Sequence, residues 1–111
     1  MTQHDTILAR LMAVIEDRKA QLPEQSYTTK LFRGGVDKIG AKIREEAEEV
    51  IEAADETGEE GRQHLIREAA DLVYHLCVML GHRGVAWGEV EMELARRFGM
   101  SGLDEKAARK S

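Results

Sequence analysis

Cysteine, proline and aromatic residues are scarce in this chain of 111 residues, which has one Cys, one Pro, one Trp, two Tyr and two Phe. A lone Cys77 excludes an intrachain disulfide, and its apolar neighbours offer nothing to lower its pKa, so it reads as a small core residue rather than a nucleophile. No window approaches the ~20 apolar residues that span a bilayer, and the start, MTQHDTILAR, lacks the basic lead and apolar run of a secretory signal. A cytoplasmic protein with no membrane contact is expected. Positive charge is also short: 16 Lys and Arg against 21 Asp and Glu give a net charge of −5, which argues against nucleic-acid binding through a basic face. A metal-bridged anion remains open. Walker and Rossmann fingerprints are absent, so Gly34 and Gly35 read as a plain turn. There is no alternating strand pattern, internal repeat or low-complexity tract.

What is present is helical periodicity. The 42% hydrophobic content suits one compact domain over residues 1–111, with a polar tail from about residue 100. Such a chain buries roughly 60 to 70% of its unfolded surface. Ile7, Leu8, Leu11, Val14 and Ile15 fall on one face of a first helix over residues 5–18, with Asp5 or Thr6 as its cap. QLPEQSYTTKLFRGG, residues 21–35, reads as a loop with at most a short helical turn at residues 28–32. Val36, Ile39, Ile43, Ala47, Val50 and Ala54 mark a long second helix over residues 36–57, stopped by Gly58. Gly40 inside it costs about 1 kcal/mol relative to Ala, which suggests close approach by another backbone or a ligand. Residues 57–62 form a polar connector short enough to make the second and third helices antiparallel neighbours. The third and central helix contains EAADLVYHLCVML, Glu68 to Leu80, apolar enough to be buried on most sides. Val90, Leu94 and Phe98 mark a fourth helix ended by Gly99, and Ser101 with Asp104 is spaced like a capping box for one more turn. The fold class is all-α, a bundle of four to five helices.

Acids sit where this pattern makes them costly. At about 100° per residue, Glu68, Asp71 and His75 share one stripe of the central helix. Glu46 and Glu49 lie at the border of the apolar stripe of the second helix, with Lys42 beside them and Glu45 and Lys38 continuing the polar band. Antiparallel packing brings the two i,i+3 carboxylate pairs face to face, and four acids around one space repel unless a cation sits among them. Carboxylate oxygens without His or Cys partners suit Mg²⁺ or Mn²⁺ rather than Zn²⁺, and Mg²⁺ sites are commonly completed by water and substrate phosphates. Lys38 and Lys42, one turn before the acids, are candidates to hold phosphate oxygens; Lys30 and Arg33 are further ones. The plainer account of EEAEE is a solvated face with pairs such as Lys42 and Glu46, but Glu68 and Asp71 beside an apolar helix weigh against it. His75 and His82 lack the compact His/Cys ligand set that zinc needs.

The spacing Glu45-Glu46-x-x-Glu49, then Glu68-x-x-Asp71 after eighteen residues, matches the EExxE…ExxD pattern of the all-α nucleoside triphosphate pyrophosphohydrolase (MazG-like) superfamily. SYTTKLFRGGVDKIGAKIREEAEEVIEAA from Ser26, REAADLVYHLCVML from Arg67 and RRFGMSGLDEKAARK from Arg96 resemble one branch of it, the phosphoribosyl-ATP pyrophosphatase family of histidine biosynthesis. SGLDEKAAR looks like that family and unlike the dUTPase or MazG branches. The resemblance implies a homodimer of intertwined helices, which suits a central helix too apolar for one small chain to cover. It also implies Mg²⁺-dependent hydrolysis between the α and β phosphates of phosphoribosyl-ATP, releasing pyrophosphate and phosphoribosyl-AMP. Glu46, Glu49, Glu68 and Asp71 would bind metal, Glu45 and Glu49 would serve the attacking water, and Lys38, Lys42 and Lys30 would hold substrate. A house-cleaning pyrophosphohydrolase acting on dUTP, dCTP or damaged nucleotides is the nearest alternative, and a non-catalytic helical dimerisation module is a remoter one.

Overall fold

Four helices and no strand make up residues 6–99, the part described by the computed structural model: α1 (Ile7–Gln21), α2 (Tyr27–Ala54), α3 (Gly58–His82) and α4 (Trp87–Phe98). The Ser101 and Asp104 motif and the SGLDEKAAR segment lie outside the described residues. Thr6 caps α1, its hydroxyl accepting from the Ala9 N–H at 3.1 Å. Glu89 closes the start of α4 by accepting from the Ala86 N–H at 2.8 Å. Among the described residues no helix is long and apolar enough to cross a membrane.

The expected loop over residues 21–35 is mostly helix. Ser26 caps a new helical run at Tyr27, accepting from the Thr29 N–H at 3.4 Å, and the run continues until Gly35 breaks it with φ 68° and ψ −161°. Tyr27, Thr28 and Thr29 are weak helix formers, so local propensity points to a loop. Burial overrides it, because Thr28, Thr29, Leu31 and Phe32 all enter the interior. Tyr27 and Thr28 touch His75 and Tyr74, and Phe32 stacks on His82. Residues 27–34 therefore form an arm running parallel to α3. Beyond Gly35 the direction reverses: Gly40 lies beside Met79, Glu46 faces Glu68 and Asp71, and Glu56 meets His64. The shaft, residues 36–54, is thus antiparallel to α3, as its short connection requires.

That connection is shorter than expected. α2 ends at Ala54 with Asp55 as its cap rather than running to Gly58, and α3 begins at Gly58 itself. Glu59 and Glu60 occupy the first turn of α3, where negative charge suits the positive end of the helix dipole. The polar run read as connector is therefore a helix start. At the other end of α3, Lys19 of α1 donates to the carbonyls of Gly81 at 2.9 Å and His82 at 3.2 Å, satisfying groups the helix leaves open.

Met12 and Ile15 of α1, Leu31, Phe32 and Ile39 of α2, and Cys77 and Val78 of α3 form the core. Burial pushes the Cys77 thiol pKa up, in keeping with a packing role. The central helix is not buried on most sides within one chain. Ile66 is 49% exposed and Leu76 37%, and Ile51 on the neighbouring shaft is 64% exposed.

Two glycines behave differently from one another. Gly35 occupies backbone space that is essentially reserved for glycine, so Gly35→Ala should destabilise by roughly 1–3 kcal/mol in urea denaturation. No other backbone of the described residues closely approaches Gly40: a Cβ there would meet only the Met79 methyl, at 4.0 Å. Gly40→Ala should therefore stabilise, by about 0.5–1 kcal/mol.

Candidate metal centre

The antiparallel register of shaft and α3 decides which acids meet. Glu46 lies on the inner edge of the shaft and is 6% exposed. Glu68 and Asp71 project from successive turns of α3, and one oxygen from each of Glu46, Glu68 and Asp71 lies within 4.8 Å of the other two. Neighbouring oxygens on an octahedral Mg²⁺ ion stand roughly 3.0 Å apart at its usual bond length, so the three carboxylates would close up on an ion held between them.

Two of the three residues also carry a buried oxygen without a hydrogen-bond partner, Glu46 Oε2 and Glu68 Oε1. Unpaired buried carboxylate oxygens are costly, and a carboxylate cluster from two helices that carries them calls for a cation or a shared proton. The titration behaviour shows that strain. Burial, then the contact with Glu68 and the charges of Glu49 and Asp71, push the Glu46 pKa up to about 7. Glu49, one turn along the shaft, is also raised, chiefly by Glu68. Glu68 moves the other way, held low first by Glu49 and further by Glu46 and His64. Burial and crowding thus favour the protonated form on the shaft side and the ionised form at Glu68. An all-oxygen donor set with two orphaned atoms fits Mg²⁺ or Mn²⁺.

The remaining residues singled out from sequence are placed less centrally. Glu45 is exposed and lies 3.3 Å from the Lys42 ammonium, so it turns outward instead of joining the cluster. Neighbouring positions on a helix point about 100° apart, and only Glu46 of the two lands on the inner edge. Lys42 is thereby engaged by Glu45, which is also the main reason its pKa rises. Lys38 is exposed, with its stem lying along Gly34. Lys30 and Arg33 are exposed on the arm.

His75 is buried and bound to its own helix. Its Nδ1 lies 2.9 Å from the Asp71 carbonyl, which can only accept, so Nδ1 donates and Nε2 accepts from the Tyr27 hydroxyl at 2.9 Å. A packed, satisfied histidine of this kind braces the turn that carries Asp71.

His64 lies between the expected connector, residues 57–62, and the apolar segment from Glu68, and sequence reasoning missed it. Its Nδ1 lies 3.0 and 3.1 Å from the two Glu56 oxygens, and its Nε2 lies 3.2 Å from Glu68 Oε2. Glu56 in the first place, with Glu68, raises its pKa. The i,i+4 spacing of His64 and Glu68 was the available signal.

Residues 8–98 match the family described as phosphoribosyl-ATP pyrophosphohydrolase. The chain belongs to that family. It is similar to a phosphoribosyl-ATP pyrophosphatase of Rhodopirellula baltica, 61% identical over 102 residues that cover 92% of this chain and 85% of the relative. A phosphoribosyl-ATP pyrophosphatase of Geobacter sulfurreducens is 50% identical over 110 residues, covering 98% of each chain. One of Methylococcus capsulatus is 47% identical over 104 residues, 94% of this chain and 96% of the relative. Family membership makes the chain an enzyme, a hydrolase, and matches the resemblance carried by the acidic motifs.

Proposed function

We propose that the chain hydrolyses phosphoribosyl-ATP to phosphoribosyl-AMP and pyrophosphate, a step of histidine biosynthesis, with Mg²⁺ held by Glu46, Glu49, Glu68 and Asp71. The observation that carries this reading is the all-carboxylate cluster of Glu46, Glu68 and Asp71, two of whose members, Glu46 and Glu68, have a buried oxygen without a hydrogen-bond partner. Relatives named for this activity along nearly the whole chain support the substrate.

Water is added across the anhydride between the α and β phosphates: its hydroxyl goes to one phosphorus, and the bridging oxygen leaves with the other. Bound Mg²⁺ would neutralise charge developing on the departing pyrophosphate and lower the pKa of the attacking water. Glu49, rather than the outward-turned Glu45, would accept the proton that water gives up. Lys42 and Lys38, on the same helix one and two turns earlier, would meet the outer phosphate oxygens, with Lys42 exchanging Glu45 for substrate.

The functional unit in this reading is a homodimer. A radius of gyration of 16.8 Å exceeds the ~13 Å of a compact chain this long. Ile51 and Ile66 lie exposed on neighbouring helices, where a second copy would cover them. Sedimentation should give twice the 12.5 kDa chain mass.

The reaction is tested by following pyrophosphate from phosphoribosyl-ATP, dUTP and dCTP, with Mg²⁺ and with chelator. Release from phosphoribosyl-ATP, dependent on Mg²⁺ and at least ~100-fold faster than from the deoxynucleotides, is expected. Comparable turnover of dUTP or dCTP would identify a house-cleaning enzyme instead.

A further inference from the structure

We propose that His64 is a positioning residue that, anchored by Glu56, holds the outer oxygen of Glu68 and so presents the inner one to the cation. This rests on the reading of the carboxylate cluster as the cation site.

Glu68 has two oxygens in unlike surroundings. Oε2 lies 3.2 Å from His64 Nε2, whereas Oε1 is buried and without a hydrogen-bond partner. The imidazole stands between carboxylates from two elements, since Glu56 lies just past the end of α2 and meets Nδ1 at 3.0 and 3.1 Å. Glu56 is itself fixed by close packing: a Cβ at Gly61, which is buried, would stand 2.8 Å from the Glu56 backbone carbonyl carbon and oxygen. Gly61, Glu56, His64 and Glu68 thus form one continuous brace from the turn between α2 and α3 to the cluster.

An unbraced glutamate loses rotamer freedom when it binds an ion, and fixing it beforehand removes that cost. Outer partners that orient metal-binding side chains commonly change metal affinity by 10–100-fold. The His64 and Glu56 side chains are partly exposed, and an exposed pair contributes little to folding. The brace should therefore show itself in ion binding rather than in stability of the metal-free chain.

The test is Mn²⁺ titration followed by electron paramagnetic resonance on the full chain, comparing wild type, His64→Phe, His64→Gln and Glu56→Gln. Melting of the metal-free proteins and the Mg²⁺ concentration for half-maximal rate are measured alongside. His64→Phe should weaken Mn²⁺ binding about tenfold. His64→Gln, which keeps one donor, should retain part of the affinity, and Glu56→Gln should fall between His64→Phe and wild type. The half-maximal Mg²⁺ concentration should rise in step, with metal-free melting temperatures unchanged. Should His64→Phe fail to fold, a Mn²⁺ affinity lowered in both His64→Gln and Glu56→Gln carries the proposal, and wild-type affinity in both overturns it. Wild-type Mn²⁺ affinity in folded His64→Phe overturns the brace alone, whereas no Mn²⁺ binding by wild type overturns the cation site and the brace with it.

Discussion

Glu46→Gln should lower pyrophosphate release from phosphoribosyl-ATP by at least ~100-fold while leaving the metal-free protein as stable as wild type or more so. The two effects have opposite signs because one feature causes both. Glu46 is 6% exposed and its Oε2 has no partner, so ionising it works against the metal-free fold. Glutamine keeps the shape, removes the charge and offers an N–H₂ group to the orphaned Glu68 Oε1. What is lost is an anionic oxygen for a cation that neutralises charge in the transition state. Asp71→Asn should show the same catalytic loss without a gain in stability, because Asp71 is exposed. Melting curves in chelator, set beside pyrophosphate assays in Mg²⁺, check both halves. Wild-type turnover in either variant removes that side chain from the cation site.

Metal-free protein should lose stability as pH rises from about 4.5 to 7, and Mg²⁺ should restore it at the upper end. The folded-state pKa of Glu46 is raised from 4.5 to about 7, so the native state binds this proton more tightly than the unfolded chain does. Its contribution is fully present below the unfolded value and is lost as pH climbs through the folded one. A shift of that size corresponds to at most about 3 kcal/mol. Glu49 is displaced in the same sense, while Glu68, held low, offsets part of the effect. At the proposed site a cation would take the place of the proton, so Mg²⁺ uptake should release protons near neutral pH and raise the melting temperature most where the metal-free protein is weakest. Melting temperatures across pH 5 to 8, with chelator and with Mg²⁺, give the comparison. In Glu46→Gln the slope should flatten. A wild-type melting temperature that rises steadily over this range in chelator would contradict the buried, crowded acid.

Much of this could be read from the chain because the acids interrupt apolar periodicity at i,i+3 on two helices joined by a short turn. That arithmetic is local, and it places Glu46, Glu68 and Asp71 together without any knowledge of the remaining packing. The arm over residues 27–34 was not legible in the same way. Tyr27, Thr28 and Thr29 favour no helix of their own, and only burial of Leu31 and Phe32 against α3, with the reversal at Gly35, makes them one. Glu45 illustrates a narrower limit: adjacent to Glu46 in sequence, it falls on the solvent side and pairs with Lys42. His64 was missed because its partners, Glu56 and Glu68, come from opposite sides of a turn whose length the sequence overstates. The arm and the contacts of His64 depend on tertiary packing, whereas the positions of the acids, Glu45 included, depend mainly on helical pitch.

The most direct test of the account is anomalous scattering from a crystal soaked in Mn²⁺. The account predicts a peak between α2 and α3, within about 2.5 Å of oxygens from Glu46, Glu68 and Asp71, with Glu49 in the same coordination sphere or the next. A well-ordered crystal with no peak there, or with those carboxylates turned apart into solvent, would contradict it.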